Sequence, residues 1–513
     1  MRNTSTWSKV GLALDRRPMT CTGRGRPAYR KDVVMAGSTP TQGRHPAHNK
    51  AIGLAVAAAV GGFLFGFDSS VINGAVDAIQ GQFDLGATLT GFAVAVALLG
   101  CAVGAWAGGR LADHWGRTKV MVLGSVLFFV SSILSAIAFS VWDLIIWRIL
   151  AGVGIGIASV IAPAYIAEIA PAALRGRLGS LQQLAITLGI FAALLSDQLL
   201  AESAGGASEV LWLGWEAWRW MFLVAVVPAA IYGILALRIP ESPRYLVAKG
   251  RHDEAVAVLE RVLGADEDPR ERVASIERSI QKDKENAQKA TLRGPRFGLL
   301  PVVWTGILLS VFQQFVGINV IFYYSTTLWQ AVGFDESQSF LVSTITSVTN
   351  VAVTFIAIAL IDKVGRRPIL LTGSAGMTIS LAVMALAFTQ SSGSGEDVSL
   401  PGAWGPIALV AANAFVVFFG ASWGPLVWVL LGEMFPNRIR AAALGVAAAA
   451  QWIANFLITV TFPPLLDQFG ATGPYLMYAI FAGLSFVFVL GKVPETKGVE
   501  LEDMEDLPPA RRR

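Results

Sequence analysis

The stretch Gly109-Arg110-Leu111-Ala112-Asp113-His114-Trp115-Gly116-Arg117 separates two long apolar runs, and a shortened copy, Asp362-Lys363-Val364-Gly365-Arg366-Arg367, separates two others in the second half of the chain. Two further elements recur in the same order. Glu168 is followed seven residues on by Arg175, and Glu433 seven residues on by Arg440. Pro240-Glu241-Ser242-Pro243-Arg244 closes the first set of apolar runs, and Pro494-Glu495-Thr496-Lys497-Gly498 closes the second. A sequence that repeats three kinds of polar punctuation at matching places is built from two related halves. Paired helical halves with a site between them are a common plan for secondary transporters.

Around these motifs the chain is apolar. Of 513 residues, 54% are hydrophobic and only 15% charged, against about a quarter charged in a soluble chain, and the mean hydropathy is +0.57. Twelve apolar runs, at 51–73, 88–110, 119–140, 142–168, 177–199, 218–238, 299–328, 338–361, 368–389, 404–431, 440–465 and 474–493, can each cross a bilayer as a helix; crossing takes about 20 helical residues. This composition excludes a water-soluble enzyme. The net charge of +4 does not indicate nucleic-acid binding, because Lys and Arg lie between the apolar runs. They gather after runs 2, 4, 8 and 10 and are missing from the loops 74–87, 200–217, 329–339, 390–403 and 466–473. Both termini and the even-to-odd loops are therefore expected to be cytoplasmic.

The expected organisation is an N-terminal tail over 1–50, a six-helix bundle over 51–239, a cytoplasmic helical linker over 240–298, a second six-helix bundle over 299–493 and a short tail over 494–513. In the linker, His252 to Leu263 has amphipathic spacing, and Asp266 to Lys289 can also be helical. The first 50 residues are rich in Arg, Gly, Pro and Thr. They read as a disordered tail or as sequence preceding a start at Met35, in preference to a transit peptide, since Pro and Gly break any amphipathic helix there. Cys21 and Cys101 make neither a disulfide framework nor a metal cluster, so no metal and no cofactor is expected.

Intramembrane ionisable residues are functional candidates. At 1.5 Å per residue Asp68 lies about 25 Å into run 1, and Arg148 about 9 Å in from the outer start of run 4, at matching depth. Asp143, Asp197 and Asp467 fall near outer ends of runs, Glu168 and Glu433 near inner ends. Two opposite charges at one level invite pairing, either as a static strut or as a proton-coupling site. No histidine lies in a membrane run, so a proton relay would use the carboxylate. Gln313, Gln314 and Asn319 in run 7, Asn350 in run 8 and Gln451 and Asn455 in run 11 are amides in apolar surroundings. Amides both donate and accept, which suits sugar hydroxyls, although the same groups serve as interhelical glue. Trp428 and Trp452 offer flat apolar faces to a pyranose, and Phe67, Tyr323 and Tyr324 are candidate gate residues. Gly317 and the Gly424-Pro425 pair interrupt helices, as cavity-lining breaks do. Gly100, Gly104 and Gly108 in run 2, with Gly152 and Gly156 in run 4, are spaced for close helix packing.

The chain from about Ala51 to Gly498 resembles the sugar porters of the major facilitator superfamily. The resemblance rests on Gly66-Phe67-Asp68, the Asp113–Arg117 loop, Arg148, Glu168 to Gly176, Pro240 to Arg244, Gln313-Gln314-x-x-Gly317-x-Asn319, Gly424-Pro425-x-x-Trp428 and Pro494 to Gly498. His114, Thr118, Ile358 and Ala441 depart from the family pattern. The resemblance implies an all-α membrane protein of major-facilitator fold, twelve helices in two bundles. It also implies a sugar site at Gln183, Gln313, Gln314, Asn319, Asn350 and Trp428, and a proton-coupling role for Asp68. Asp113, Arg117, Glu168, Arg175 and Glu241, with Asp362, Arg366, Glu433, Arg440 and Glu495, are expected to form a cytoplasmic gate. The expected function is proton-coupled symport of a hexose or pentose across the plasma membrane by a monomer. Its partners are the monosaccharide, the proton and the bilayer. Facilitated uniport, a polyol or inositol symporter and a non-transporting sugar sensor are the alternatives.

Overall fold

The computed structural model describes residues 46–170, 175–263, 268–289, 292–294, 298–392, 399–436 and 439–496. The first half comprises α1 (Pro46–Gln82), α2 (Ala87–Trp115), α3 (Arg117–Ala136), α4 (Val141–Ile169), α5 (Arg175–Ala204), and α6 (Ala217–Val224) running on into α7 (Val226–Arg238). Between α5 and α6 stands an antiparallel hairpin, β1 (Val210–Trp212) and β2 (Trp215–Glu216). Three short helices follow, α8 (Pro243–Ala248), α9 (His252–Val262) and α10 (Pro269–Lys289). The second half comprises α11 (Pro301–Phe315), α12 (Ile318–Tyr323), α13 (Ser325–Ala331), α14 (Glu336–Val364), α15 (Arg366–Phe388), α16 (Trp404–Gly420), α17 (Trp423–Met434), α18 (Arg440–Phe469) and α19 (Thr472–Lys492). Among the described residues, twelve helical stretches are long and apolar enough to span a membrane. The end carrying the Lys- and Arg-rich loops is called the basic end, and the other the far end.

The expected end of the first span needs correction. Residue 73 closes the apolar run in sequence, but α1 continues nine residues further, to Gln82. The polar side chains that stop the run do not stop the helix, because they find partners on the other half. Asn73 bonds Thr326 and Asp77 bonds Thr327. Asp68 is accordingly not the sole carboxylate held inside the bundle; Asp197, assigned to a span end, is fully buried.

Helix contacts in the first half are set by glycine. A Cβ on Gly100 would lie 2.2 Å from the Ile149 carbonyl oxygen, and one on Gly152 2.0 Å from that of Ala97. Backbone meets backbone between α2 and α4, which only residues without a side chain allow. In the second half, among the described residues, spans break at Gly317, at Tyr324 between α12 and α13, and between α16 and α17. Gly317, with φ of 83°, separates α11 from α12 in a conformation that suits glycine. The break between α16 and α17 sits at Ala421 and Ser422, just ahead of Gly424-Pro425, which occupies the first turn of α17.

The helices α8 to α10 enclose a small apolar cluster of their own, with Leu246, Val258, Leu259, Val262 and Val273 packed against Ala51 and Leu54 of α1. In the first turn of α9 the Arg251 guanidinium, hydrogen-bonded at 2.6 Å, holds the Glu254 carboxyl below its ordinary value.

Candidate functional site

Asp68 on α1 and Arg148 on α4 form an ion pair, Nη1 to Oδ1 2.8 Å, with residue exposures of 5% and 2%. The close α2–α4 approach carries Arg148 towards α1, and the Phe222 ring lies 5.7 Å beneath the guanidinium. Removing either partner from such a pair strands a charge in a dry site. Beside the pair is a cavity lined by Phe65, Asp68, Ser69, Cys101, Arg148 and Tyr323 among others, with room for about one water molecule. Tyr323 comes from α12, so the second half supplies part of the wall around a charge pair held by the first.

On α18 Asn455 is buried, and its Oδ1 accepts from the Thr459 hydroxyl at 3.2 Å. Next to it lies a directed chain of amides. Asn319 donates to Gln314 at 2.6 Å, Gln314 to Gln313 at 3.3 Å, and Gln313 to the carbonyls of Trp423 and Gly424 at 3.0 and 3.2 Å. Gln313 thus ties α11 to the start of α17, and its amide N–H groups are committed to those two carbonyls. Gln451, one turn before Asn455 on α18, keeps a buried Oε1 without a hydrogen-bond partner. Trp452 meets Phe65 of α1 edge-on, ring centroids 5.7 Å apart. Asn350 is buried on α14, facing Gly420. Gln183 is half-buried on α5, and Trp428 is 44% exposed on α17. Among the described residues no side-chain hydrogen bond joins Gln183, Asn350 or Trp428 to the amide chain. Phe65 and Cys101 escaped the sequence reading. The named phenylalanine, Phe67, instead stacks on Phe63 at 6.2 Å. Helix rotation decides which of two neighbouring phenylalanines faces a cavity, and apolar periodicity is too weak in an all-apolar helix to reveal it.

At the basic end the two sequence repeats build two like clamps. Arg117 grips Glu168 through two bonds of 3.1 and 3.0 Å and also pairs with Asp113 at 3.1 Å. Glu241 accepts the Arg117 and Thr118 backbone N–H groups at 2.8 and 3.3 Å, capping α3, while the Ser242 hydroxyl bonds Glu168. In the second half Arg366 grips Glu433 at 3.2 and 2.8 Å. Glu495 accepts the Arg366 and Arg367 N–H groups at 3.0 Å each, capping α15, and the Thr496 hydroxyl bonds Glu433 at 2.5 Å. Gly116 and Gly365 stand before the capped helices with φ of 101° and 108°. Each of these bonds joins helix ends within one half. Arg440 donates to the Phe435 carbonyl at 3.1 Å. The side chains of Arg175 and Asp362 lie outside the described residues.

The halves meet at the far end. The Thr326 N–H donates to Asn73 Oδ1 at 3.1 Å, its hydroxyl to the Asn73 carbonyl at 2.7 Å, the Thr327 hydroxyl to Asp77 at 2.8 Å, and the Ala207 N–H to Glu336 at 2.8 Å. Phe92 and Phe456 pack edge-on, 6.4 Å between centroids. These bonds join the halves at the far end.

A sequence profile of the sugar (and other) transporter family matches residues 54–507. The chain is 55% identical over 448 residues to the glucose transport protein of Synechocystis sp., spanning 87% of this chain and 95% of that protein. It is 35% identical over 487 residues to the D-xylose-proton symporter of Escherichia coli, spanning 88% and 95% of the two chains. Its fold matches a partially occluded inward-open conformation of the E. coli xylose transporter, with a TM-score of 0.76, 34% identity and coverage of 88% and 100%. Matched along most of its length in motifs, sequence and helix arrangement, the chain belongs to the sugar (and other) transporter family and is a multi-pass membrane transporter of major-facilitator fold, not an enzyme.

Proposed function

We propose that the chain carries a monosaccharide, a hexose or a pentose, together with a proton across the plasma membrane by alternating access. The observation that carries this reading is the Asp68–Arg148 pair, buried at the seam with the second half and beside a cavity that Tyr323 helps to close. The name of the E. coli xylose-proton symporter supports proton coupling, and that of the Synechocystis protein makes D-glucose the first sugar to test. The basic end, with both termini, faces the cytoplasm, in keeping with the distribution of Lys and Arg.

With the far end open, Asp68 meets water and takes a proton. Neutral, it no longer holds Arg148, and the carboxyl can be enclosed without an ion's desolvation cost. Sugar bound at Gln314, Asn319, Asn350, Gln451, Trp452 and Asn455, with Gln183 and Trp428 nearer the cytoplasmic mouth and Gln313 holding the start of α17, favours the enclosed form. Opening at the basic end releases sugar and proton, and Asp68 pairs with Arg148 again. The state with the halves joined at the far end and the ion pair intact fits the last step of this cycle. The charged residues of the two clamps, with Arg175, Asp362 and Arg440, form the cytoplasmic gate; the clamps brace each half as a unit while the halves rock about the site, and one chain forms the whole path.

The test is uptake of labelled D-glucose and D-xylose into proteoliposomes under an imposed pH gradient. Accumulation above the external concentration that a protonophore abolishes supports symport. Equilibration without accumulation, unchanged by the protonophore, replaces it with facilitated uniport.

A further inference from the structure

The hairpin between α5 and α6 does not have the surface of a turn made for water. Val210 pairs with Glu216 and Trp212 with Trp215 across the turn Leu213-Gly214. Both turn residues have positive φ, 55° at Leu213 and 78° at Gly214. Two-residue turns of this hand favour Asn-Gly, and leucine is a poor occupant of the first position because its Cβ crowds the following carbonyl. Leu213 is nevertheless 86% exposed at the tip, with exposed Val210 and Trp212 beside it.

The tip continues a surface already committed to lipid. The Trp212 ring packs edge-on against Trp220 at 5.3 Å, Trp215 lies tilted against the same ring at 6.0 Å, and the Trp220 indole N–H donates to the Trp212 carbonyl at 3.3 Å. Trp220 is in the first turns of α6. Ala225 carries the helical backbone on into α7, with φ of −61° and ψ of −19°, so Val227, Ile231 and Ile234 fall on the same face at helical spacing. All three are exposed apolar residues of a membrane span. Two charges at the hairpin's base are turned towards protein, since Arg219 bonds Glu216 at 2.7 Å and the carbonyls of Ala136 and Ala138 at 2.9 and 2.8 Å, while Glu209 ahead of β1 is exposed. Indoles with an apolar ring and a polar N–H gather where hydrocarbon meets headgroups.

We infer that this hairpin is a membrane-interface anchor, with Leu213 and Trp212 inserted at the headgroup–acyl boundary of the far-end leaflet. The bilayer then supplies the environment in which an exposed leucine suits the turn, and the far end of the first half is held at a fixed depth. The test uses the full chain in phosphatidylcholine–phosphatidylglycerol nanodiscs, carrying Cys21→Ser and a nitroxide at Leu213→Cys. Buried Cys101 is retained, and the parent without an added cysteine measures background labelling. Collision of the nitroxide with oxygen and with a water-soluble nickel chelate is compared with labels at Asp253→Cys, exposed on α9, and at Ile234→Cys on the lipid-facing stripe. The expected result is an oxygen-to-nickel ratio at 213 several-fold above that at 253 and approaching that at 234, with Val210→Cys showing the same trend. A ratio at 213 and 210 equal to that at 253 overturns the inference. So does spin–spin broadening between labels, which would seat the tip on a second copy of the chain.

Discussion

Asp68→Asn separates the two roles the ion pair could have. The substitution keeps the side-chain volume but removes the charge, leaving Arg148 at 2% exposure with no carboxylate 2.8 Å away. An orphaned buried charge costs about 3–5 kcal/mol, so the variant should unfold at lower temperature than the parent. Transport changes for a different reason. With one proton carried per sugar, a pH difference of one unit supplies about 1.4 kcal/mol and sustains about tenfold accumulation. The parent in proteoliposomes should approach that ratio. Asp68→Asn should stop at a ratio of one while still exchanging labelled for unlabelled sugar in counterflow. Adding Arg148→Leu removes the stranded charge and leaves only a neutral buried amide at position 68 to satisfy, a smaller penalty of about 1–3 kcal/mol. The double variant should therefore recover part of the lost melting temperature without recovering accumulation. Accumulation by Asp68→Asn, or its return in the double variant, would refute the reasoning, since the carboxylate would then be only a strut.

Gly152→Ala places a Cβ 2.0 Å from the Ala97 carbonyl oxygen and should cost about 1–3 kcal/mol through overpacking; its melting temperature should fall, whereas that of Gly445→Ala on α18, with nothing within 4 Å, should hold. Glu495→Ala removes the acceptor of two N–H bonds at the start of α15, a loss of about 1–2 kcal/mol by analogy with other helix caps, and Glu241→Ala, which also gives up bonds from the Thr118 hydroxyl and the Ser242 N–H, should lower the melting temperature at least as much; a smaller loss would show that Glu241 does not cap α3. Thr326→Val deletes the buried hydroxyl bond to the Asn73 carbonyl. At about 0.5–1.5 kcal/mol that tilts the balance towards an open far end by about twofold to tenfold, read as faster reaction of an impermeant thiol reagent with Ile72→Cys, which lines the cavity, in a Cys101→Ala background.

The spans, the repeat and the charged clamps were legible because each is written locally, in apolar runs of membrane length or in short motifs that occur twice. What the clamp residues do was less legible. Glu241 looks like a surface charge after a span, and its task of capping α3 depends on a partner 124 residues away. The same limit explains α1, whose length is carried past Asn73 and Asp77 by threonines on α13. Amide chemistry could be read from Gln313 to Asn319, but direction could not: only the fold reveals that Gln313 is spent on the Trp423 and Gly424 carbonyls, leaving the outer members of the chain and Gln451 with polar atoms to offer. The hairpin was invisible because five residues of strand carry no periodic signal, and its Leu-Gly turn contradicts the usual turn chemistry.

The two halves are alike where they need to be firm and unlike where chemistry is needed. Both carry the Arg–Glu grip and the Glu cap at the basic end, with near-identical backbone at Gly116 and Gly365. Such a brace fixes helix ends relative to each other and lets a half move as one body. The first half packs α2 on α4 backbone to backbone at Gly100 and Gly152, and it holds a buried salt bridge between α1 and α4. The second half breaks its helices at Gly317 and at Ser422 and sets amides beside the breaks, with Gln313 tying α11 to the first carbonyls of α17. Tyr323 and Trp452 are where these unlike regions touch, the first at the cavity beside Asp68 and the second on Phe65. A displacement of α12 or α18 relative to α1 therefore alters the surroundings of the ion pair directly, with no intermediary longer than one aromatic side chain.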